Sequence, residues 1–371
     1  MLFRSTQVAE NKLLIDSGLN ISSFGQDRFG ELYALDHTNG VVYKVTPPAA
    51  AGPAEAADFP RTLSATKCFA SLSPLTPASG LVPYDVQSPL WSDGATKSRY
   101  VFVPNGQKIR MAGDGTLQFP DDTVLVKNFS LPIRSGGSSG NRLIETRFLV
   151  KRSSGFRGYT YRWNDAGSEA QLLGGASTRD VTLATDAGDE AYSYYFPGSG
   201  DCIRCHAPGT GGALGFDAGH LNFGAENQLT KLAASHVLDA STLPGDLHTL
   251  PSYPSSDDAS ATLDARARSY LHTQCAECHN KAFGTAQGNF DLRYALSFAD
   301  THVCNATPIT GDLGVPGAKI LKPGSPDQSL IWLRVHSLEK GKRMPPLASS
   351  RLDAAGDALL RQWIASVRAC P

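Results

Sequence analysis

Leu143-Ile144-Glu145-Thr146-Arg147-Phe148-Leu149-Val150 is the run on which the fold turns. Ile144, Thr146 and Phe148 fall on one side of an extended chain and Glu145, Arg147 and Leu149 on the other, the period of two that a strand imposes. The pattern predicts one buried face and makes Glu145 and Arg147 an outer-face or structural ion pair. To either side, Arg99–Val103, Thr123–Phe129 and Tyr159–Trp163 are further β-branched and aromatic runs, with Gly, Pro, Asn or Asp between them. Together they predict an antiparallel β-sandwich-like unit.

Two pentapeptides follow this unit, Cys202-Ile203-Arg204-Cys205-His206 and Cys275-Ala276-Glu277-Cys278-His279. C-x-x-C-H is the spacing of c-type haem attachment. The two thiols add across the two porphyrin vinyl groups, and the adjoining His206 or His279 supplies the proximal imidazole to iron. A redox dithiol, or half of a zinc site in an interaction module, is the competing reading of each motif. Two independent copies favour two covalently attached haems c.

The C-terminal segment reads as helices. Ser260 or Thr262 can cap a helix from Leu263 to Cys275 that delivers the second motif, with Leu263, Ala267, Tyr270 and Leu271 on its inner stripe. Pro323–Asp327 opens another helix with Asp327 as cap, and Asp353 starts a last one carrying Leu359, Leu360, Trp363, Ile364 and Val367. Helix, C-x-x-C-H, middle helix, methionine loop and terminal aromatic helix resembles the class I cytochromes c. The resemblance implies an all-α domain over 259–371, with Arg343-Met344-Pro345-Pro346 as the axial methionine loop and Met344 as sixth ligand; His336 is the fallback. A thioether favours ferrous iron and raises the potential relative to two imidazoles.

The first motif stands in a different setting. Phe119-Pro120-Asp121-Asp122-Thr123-Val124-Leu125-Val126-Lys127 resembles a strand of the β-sheet cytochromes, the c-prime-beta group and its hydroxylamine-oxidising relatives, in which haem is cross-linked to a lysine. The resemblance implies a five-coordinate first iron with an open face. Lys127 sits near the cross-linking position, but Asp122 replaces the turn glycine, and a surface or structural role is the preferred reading. Met111, His220 and His236 are the other candidates to close the sixth position.

Residues 1–48 contain two strand-like runs about a turn at His37–Gly40. Gly30-Glu31-Leu32-Tyr33 and Gly40-Val41-Val42-Tyr43-Lys44 resemble the last blade of the sugar-dehydrogenase β-propellers that use pyrroloquinoline quinone (PQQ). That resemblance implies the C-terminal piece of a longer dehydrogenase–cytochrome fusion, or a split form of one. The expected organisation is an α+β multidomain chain: a blade-like hairpin at 1–48, a linker at 49–80, the β-rich domain with the first motif at 81–242, a Pro/Ser-rich linker at 243–258, and the cytochrome c domain at 259–371. Met1–Asn20 lacks a secretory pattern, yet c-type haem implies a periplasmic or extracytoplasmic site, so the export signal is expected upstream. In that compartment Cys304 and Cys370 are a candidate disulfide.

The chain has 371 residues and a net charge of −1, which gives no electrostatic footprint for nucleic acid. No apolar run is long enough for a membrane span. Phosphate loops, nucleophile elbows and H-E-x-x-H are absent from the sequence. Ser88-Pro89-Leu90-Trp91-Ser92-Asp93-Gly94 reads as a turn-rich structural segment. The function expected is electron transfer from a PQQ-type dehydrogenase to a cytochrome or oxidase acceptor. The alternative is a haem enzyme or small-ligand-binding protein with its chemistry at an open first haem.

Overall fold

A computed structural model of the chain describes residues 17, 19–26, 32–45, 59–135, 138–206, 212–281 and 289–371. Residues 49–58 of the expected 49–80 linker, most of Met1–Asn20, and Gly30–Glu31 of the blade-like run lie outside the described residues, and the rest of that linker is packed, with Leu63 and Phe69 buried. β1 (Ile21–Gln26), β2 (Leu32–Asp36) and β3 (Val41–Val45) form a separate antiparallel meander. Asp36 closes its turn by accepting bonds from the Thr38 amide and the Asn39 side chain. Phe24, Leu32 and Val42 of this sheet are exposed.

A short hairpin, β4 (Phe69–Leu72) with β5 (Leu75–Pro77), precedes the main sheet. That sheet has eight antiparallel strands: β6 (Val82–Tyr84), β7 (Thr96–Phe102), β10 (Val124–Ser135), β11 (Ser138–Arg152), β12 (Gly155–Trp163), β13 (Ala170–Leu172), β14 (Ser177–Thr185) and β15 (Gly188–Phe196). A two-strand flap, β8 (Arg110–Met111) with β9 (Leu117–Gln118), lies between β7 and β10. The 12-residue β10 is the hub. Val124–Ser130 pairs with β7, the whole strand pairs with β11, and Ile133 reaches β14.

The sheet is covered on both sides, which is why Leu143–Val150 has no solvent face. On one side Val126, Phe148, Val150, Tyr161 and Trp163 pack under Leu63 and Phe69. Burying a side chain such as Phe148 contributes about 1.5–3 kcal/mol. Trp163, Thr146, Asn128 and Ser98 carry one hydrogen-bonded chain across four strands, so these buried polar groups are satisfied. On the other side Val101, Leu125 and Phe156 pack against Ile109, Phe216 and two short helices, α2 (Ala218–Leu221) and α3 (Gln228–Ala234). Glu145 is therefore wholly buried.

The expected fold class does not hold. One eight-stranded sheet stands where two facing sheets were predicted, and a large all-α cytochrome c domain is not seen. The protein is mostly β, with six helices among the described residues, the remaining ones being α1 (Ser199–Cys205), α4 (Leu263–Cys275), α5 (Leu330–His336) and α6 (Ala354–Ser366). The predicted helical starts at Thr262 and Asp353 do occur, each side chain accepting an amide bond from the first turn. Between α4 and α5 the chain cannot stay helical: Gly311, Gly314, Gly317 and Gly324 all take positive φ. Asp327 does not cap α5, whose first turn starts from Ser329; it pairs with Arg361 of α6 instead.

What replaces helix there is covalent and local. Cys304 and Cys370 form a disulfide that ties the long loop to the C-terminus. α4 and α6 approach so closely that a Cβ on Gly356 would run into the Tyr270 ring. Trp363 of α6 donates to Asp264 of α4 at 2.9 Å. Residues 243–258 are packed rather than extended, with Tyr253 buried and Asn222 bonded to the carbonyls of Leu247, Leu250 and Pro251. No helix among the described residues is long and apolar enough to cross a membrane.

Candidate functional site

The second motif opens on a cavity of about 540 Å³. α4 ends at Cys275 and the chain keeps turning, the Cys278 and His279 amides both bonding back to the Cys275 carbonyl at 3.1 and 2.9 Å. This brings Cys275, Cys278 and His279 onto one wall. Met344 stands among the lining residues with them, its loop held to α5 by the Met344 amide on the Arg334 carbonyl at 3.0 Å. Leu271, Leu292, Ile320, Leu330 and Val335 make the rest of the wall mainly apolar. The His279 imidazole stacks on Phe290 at 4.7 Å, and its buried Nδ1 has no hydrogen-bond partner among the described residues.

These features fit a covalently held haem. Two thiols, an imidazole and a thioether face one apolar space of the size that holds a large cofactor. Burial lowers the pKa of His279 and so keeps the imidazole neutral, the form that ligates iron. His336, the fallback ligand, is engaged elsewhere: it stacks on Trp332 at 4.6 Å and pairs with Asp357 at 3.0 Å.

The first motif leaves the last strand of the sheet, β15, through α1, which holds Cys202 and Cys205. α1 lies against β12 so tightly that a Cβ on Gly158 would meet the Cys202 sulfur at 2.5 Å. His206 Nδ1 bonds the Gly212 carbonyl at 2.6 Å. That bond orients the ring and leaves Nε2 as the nitrogen for iron. Burial, with Lys127 and Arg147 adding to it, lowers the His206 pKa to about 4.

The sheet face under this motif is charged. Arg99, Lys127 and Arg147 occupy one cross-strand row over β7, β10 and β11. Arg99 donates to Asp85 at 2.8 Å, and Arg147 donates two hydrogen bonds to the Glu145 carboxylate, which also accepts from Tyr194 at 2.5 Å. Lys127 makes no hydrogen bond or ion pair among the described residues, and burial followed by Arg99, Lys97 and Arg147 pushes its pKa well below that of an ordinary lysine. Lys127 is also the cation acting on Glu277, inside the second motif. The carboxyl of Glu277 is raised to about 8, chiefly by burial. One lysine thus lies within electrostatic range of both His206 and Glu277.

The three candidate ligands for the first iron are placed as follows. Met111 is buried in the apolar cluster with Ile109 and Leu117. His236 is exposed, at positive φ after α3. His220 has both ring nitrogens engaged, Nδ1 by Asp217 at 2.7 Å and Nε2 by Thr273 at 3.0 Å.

The turn-rich segment Ser88–Gly94 is the clamp between the two motif-bearing regions. The Trp91 amide donates to Gln274 on α4, and Gln274 donates back to the Pro89 carbonyl. The Trp91 indole donates to the Arg351 carbonyl, the Arg351 amide donates to Asp93, and the Arg351 guanidinium forks onto Glu190 of β15. Nothing in the sequence marked Arg351 or Glu190, because their partners lie more than 150 positions away. Comparison with protein-family models, curated proteins and solved structures finds no match for this chain.

Proposed function

We propose that this protein carries electrons through two covalently attached haems c, one on Cys202, Cys205 and His206 and one on Cys275, Cys278 and His279, with Met344 as sixth ligand of the second. The observation that carries the reading is the apolar cavity where Cys275, Cys278, His279 and Met344 converge. When bound, each haem supplies a one-electron iron couple. The chain's own contribution is position and environment. α4 and α1 present the thiol pairs, the Gly212 carbonyl fixes the His206 ring, and the Arg334 carbonyl anchors the methionine loop. The Ser88–Gly94 clamp holds the two regions in one register, so that electrons pass between fixed sites.

The proposed setting is periplasmic or otherwise outside the cytoplasm, a reading supported by the Cys304–Cys370 disulfide. The proposed donor is a PQQ-type dehydrogenase, supported by the blade-like sequence within residues 1–48; the acceptor is a cytochrome or oxidase. A second reading is favoured by Lys127, a buried amine within electrostatic range of His206 whose side chain makes no hydrogen bond among the described residues. In it, the first haem keeps an open face that binds a small molecule.

Expression with haem-attachment machinery, followed by a pyridine haemochrome assay, should count two haems per chain. Met344→Ala should convert one ferric haem from low to high spin. A colourless, zinc-containing product would overturn the proposal. A wild-type spectrum that shifts with CO or cyanide would select the open-face reading, and an unresponsive one would leave electron transfer alone.

A further inference from the structure

Asp217, His220 and His272 meet where α2 abuts α4, one helical turn before Cys275. One carboxylate oxygen and one nitrogen from each imidazole lie within 4.8 Å of one another. Asp217 divides its oxygens: Oδ1 accepts the His220 amide and caps α2 at 3.0 Å, and Oδ2 faces His220 Nδ1 at 2.7 Å. His272 is approached at Nδ1 by the Tyr294 amide at 3.4 Å, which leaves Nε2 for a ligand. Tyr253 packs edge-on against both imidazoles, at 4.9 and 4.6 Å, and walls the cluster on one side. Asp217, 41% exposed, leaves a way in from solvent.

The proton inventory points to a cation. The Thr273 hydroxyl donates to Ser88 Oγ at 3.1 Å, so it can only accept from His220 Nε2. The proton of a neutral His220 therefore sits on Nε2. Nδ1 and the Asp217 carboxylate then face each other at 2.7 Å as two acceptors, in a site where His220 is 3% exposed. Two acceptors at that distance need a positive species between them. With His272 adding a third donor from another helix, the set becomes two imidazoles and a carboxylate, the donors that hold a divalent ion of the zinc class. The Nε2–H bond to Thr273 is the outer contact that orients a ligating imidazole.

The geometry points to a divalent metal site formed by Asp217, His220 and His272, in which an ion of the zinc class pins α2 to the helix that delivers the second motif. None of its donors belongs to either motif, so the site uses no group that haem attachment would occupy. Binding needs no redox step: the ion takes the place of a proton shared between His220 Nδ1 and Asp217, which leaves to solvent, while the Nε2 proton stays on the bond to Thr273.

The test uses the full chain, stripped with a chelator, dialysed and titrated with Zn²⁺. Metal analysis should find one zinc per chain in addition to any iron. Zinc-edge X-ray absorption on the wild-type protein should show nitrogen and oxygen neighbours, including two imidazoles, and no sulfur. His272→Gln and Asp217→Asn should each weaken zinc binding by about tenfold or more, and Cys68→Ser should leave it unchanged. Sulfur in the coordination shell, unchanged affinity in both site variants, or a wild-type protein that retains no zinc would each overturn the site. The last result would mark His220 as an imidazolium paired with Asp217. The absorption measurement needs no variant, so a substitution that fails to fold does not remove the test.

Discussion

The two C-x-x-C-H motifs are chemically the same and sit in opposite surroundings. The first leaves a β-sheet and lies over a row of cations, Arg99, Lys127 and Arg147. The second leaves a helix and opens on a mainly apolar cavity that Met344 helps to line. A neutral thioether in an apolar wall and a positively charged sheet face would tune an iron held there by different means, ligand identity in one case and nearby charge in the other. Their mechanical support differs too. Continuous strand pairing holds the ground under the first, whereas three helices, irregular loops and one disulfide hold the second. Identical motifs need not make identical sites, because the residues that decide their properties come from elsewhere in the chain.

The charged face is where that comparison can be broken most forcefully. Glu145 is fully buried and accepts from both Arg147 and Tyr194. Glu145→Ala leaves Arg147 without its carboxylate beneath the first motif, and should lower unfolding stability by about 3–5 kcal/mol in urea titrations. The second region should be nearly unaffected locally, so hydrogen exchange should rise in β11 and α1 more than in α6.

The converse substitution targets the second region. The Cys304–Cys370 disulfide closes a loop across a sequence separation of 66. Removing it by a double Cys→Ser change should cost about 4 kcal/mol through the greater freedom of the unfolded chain. Thermal unfolding followed at α4–α6 should then separate from that of the sheet. A single unchanged transition would show that the two regions unfold as one unit through the Ser88–Gly94 clamp.

A smaller effect tests the cationic face. Lys97 donates to the carbonyls of Leu90 and Ala95, and burial, with Arg99 and Arg147, lowers its pKa to about 7. Its unfolded value is near 10.5, so between pH 7 and 10.5 the unfolded chain binds more protons than the folded one. Stability should therefore gain from this lysine as pH rises through that window, and the cost of the buried ammonium is complete below it. Lys97→Met should flatten the pH dependence of the denaturation midpoint between pH 7 and 10. An unchanged slope would place the lysine outside the low-dielectric face.

Much of the local structure was legible in the residues. The four aromatic and β-branched runs form β7, β10, β11 and β12, and the capping residues Thr262 and Asp353 start their helices. These features depend on neighbours a few positions away, which is where strand period and helix caps act. The helical reading of 259–371 failed because the order of motifs resembled an all-α domain while the glycines between α4 and α5 did not permit one. The outer-face option for Glu145 failed for a different reason. Period-two alternation shows that a strand has two faces, and it is silent on whether a second layer covers the polar one.

The sequence by itself determined the chemistry that each pentapeptide can hold, since thiol spacing and the adjoining histidine are set along the chain. Tertiary structure alone decided what surrounds them. It brought Met344 to the cavity of His279, set Lys127 in one row with Arg99 and Arg147, joined Asp217 and His220 to His272, and made Asp93 and Arg351 a clamp. Each of these contacts joins residues dozens to hundreds of positions apart. Such pairings are chosen by which layers pack together and which buried charges find partners, and no local pattern encodes that choice.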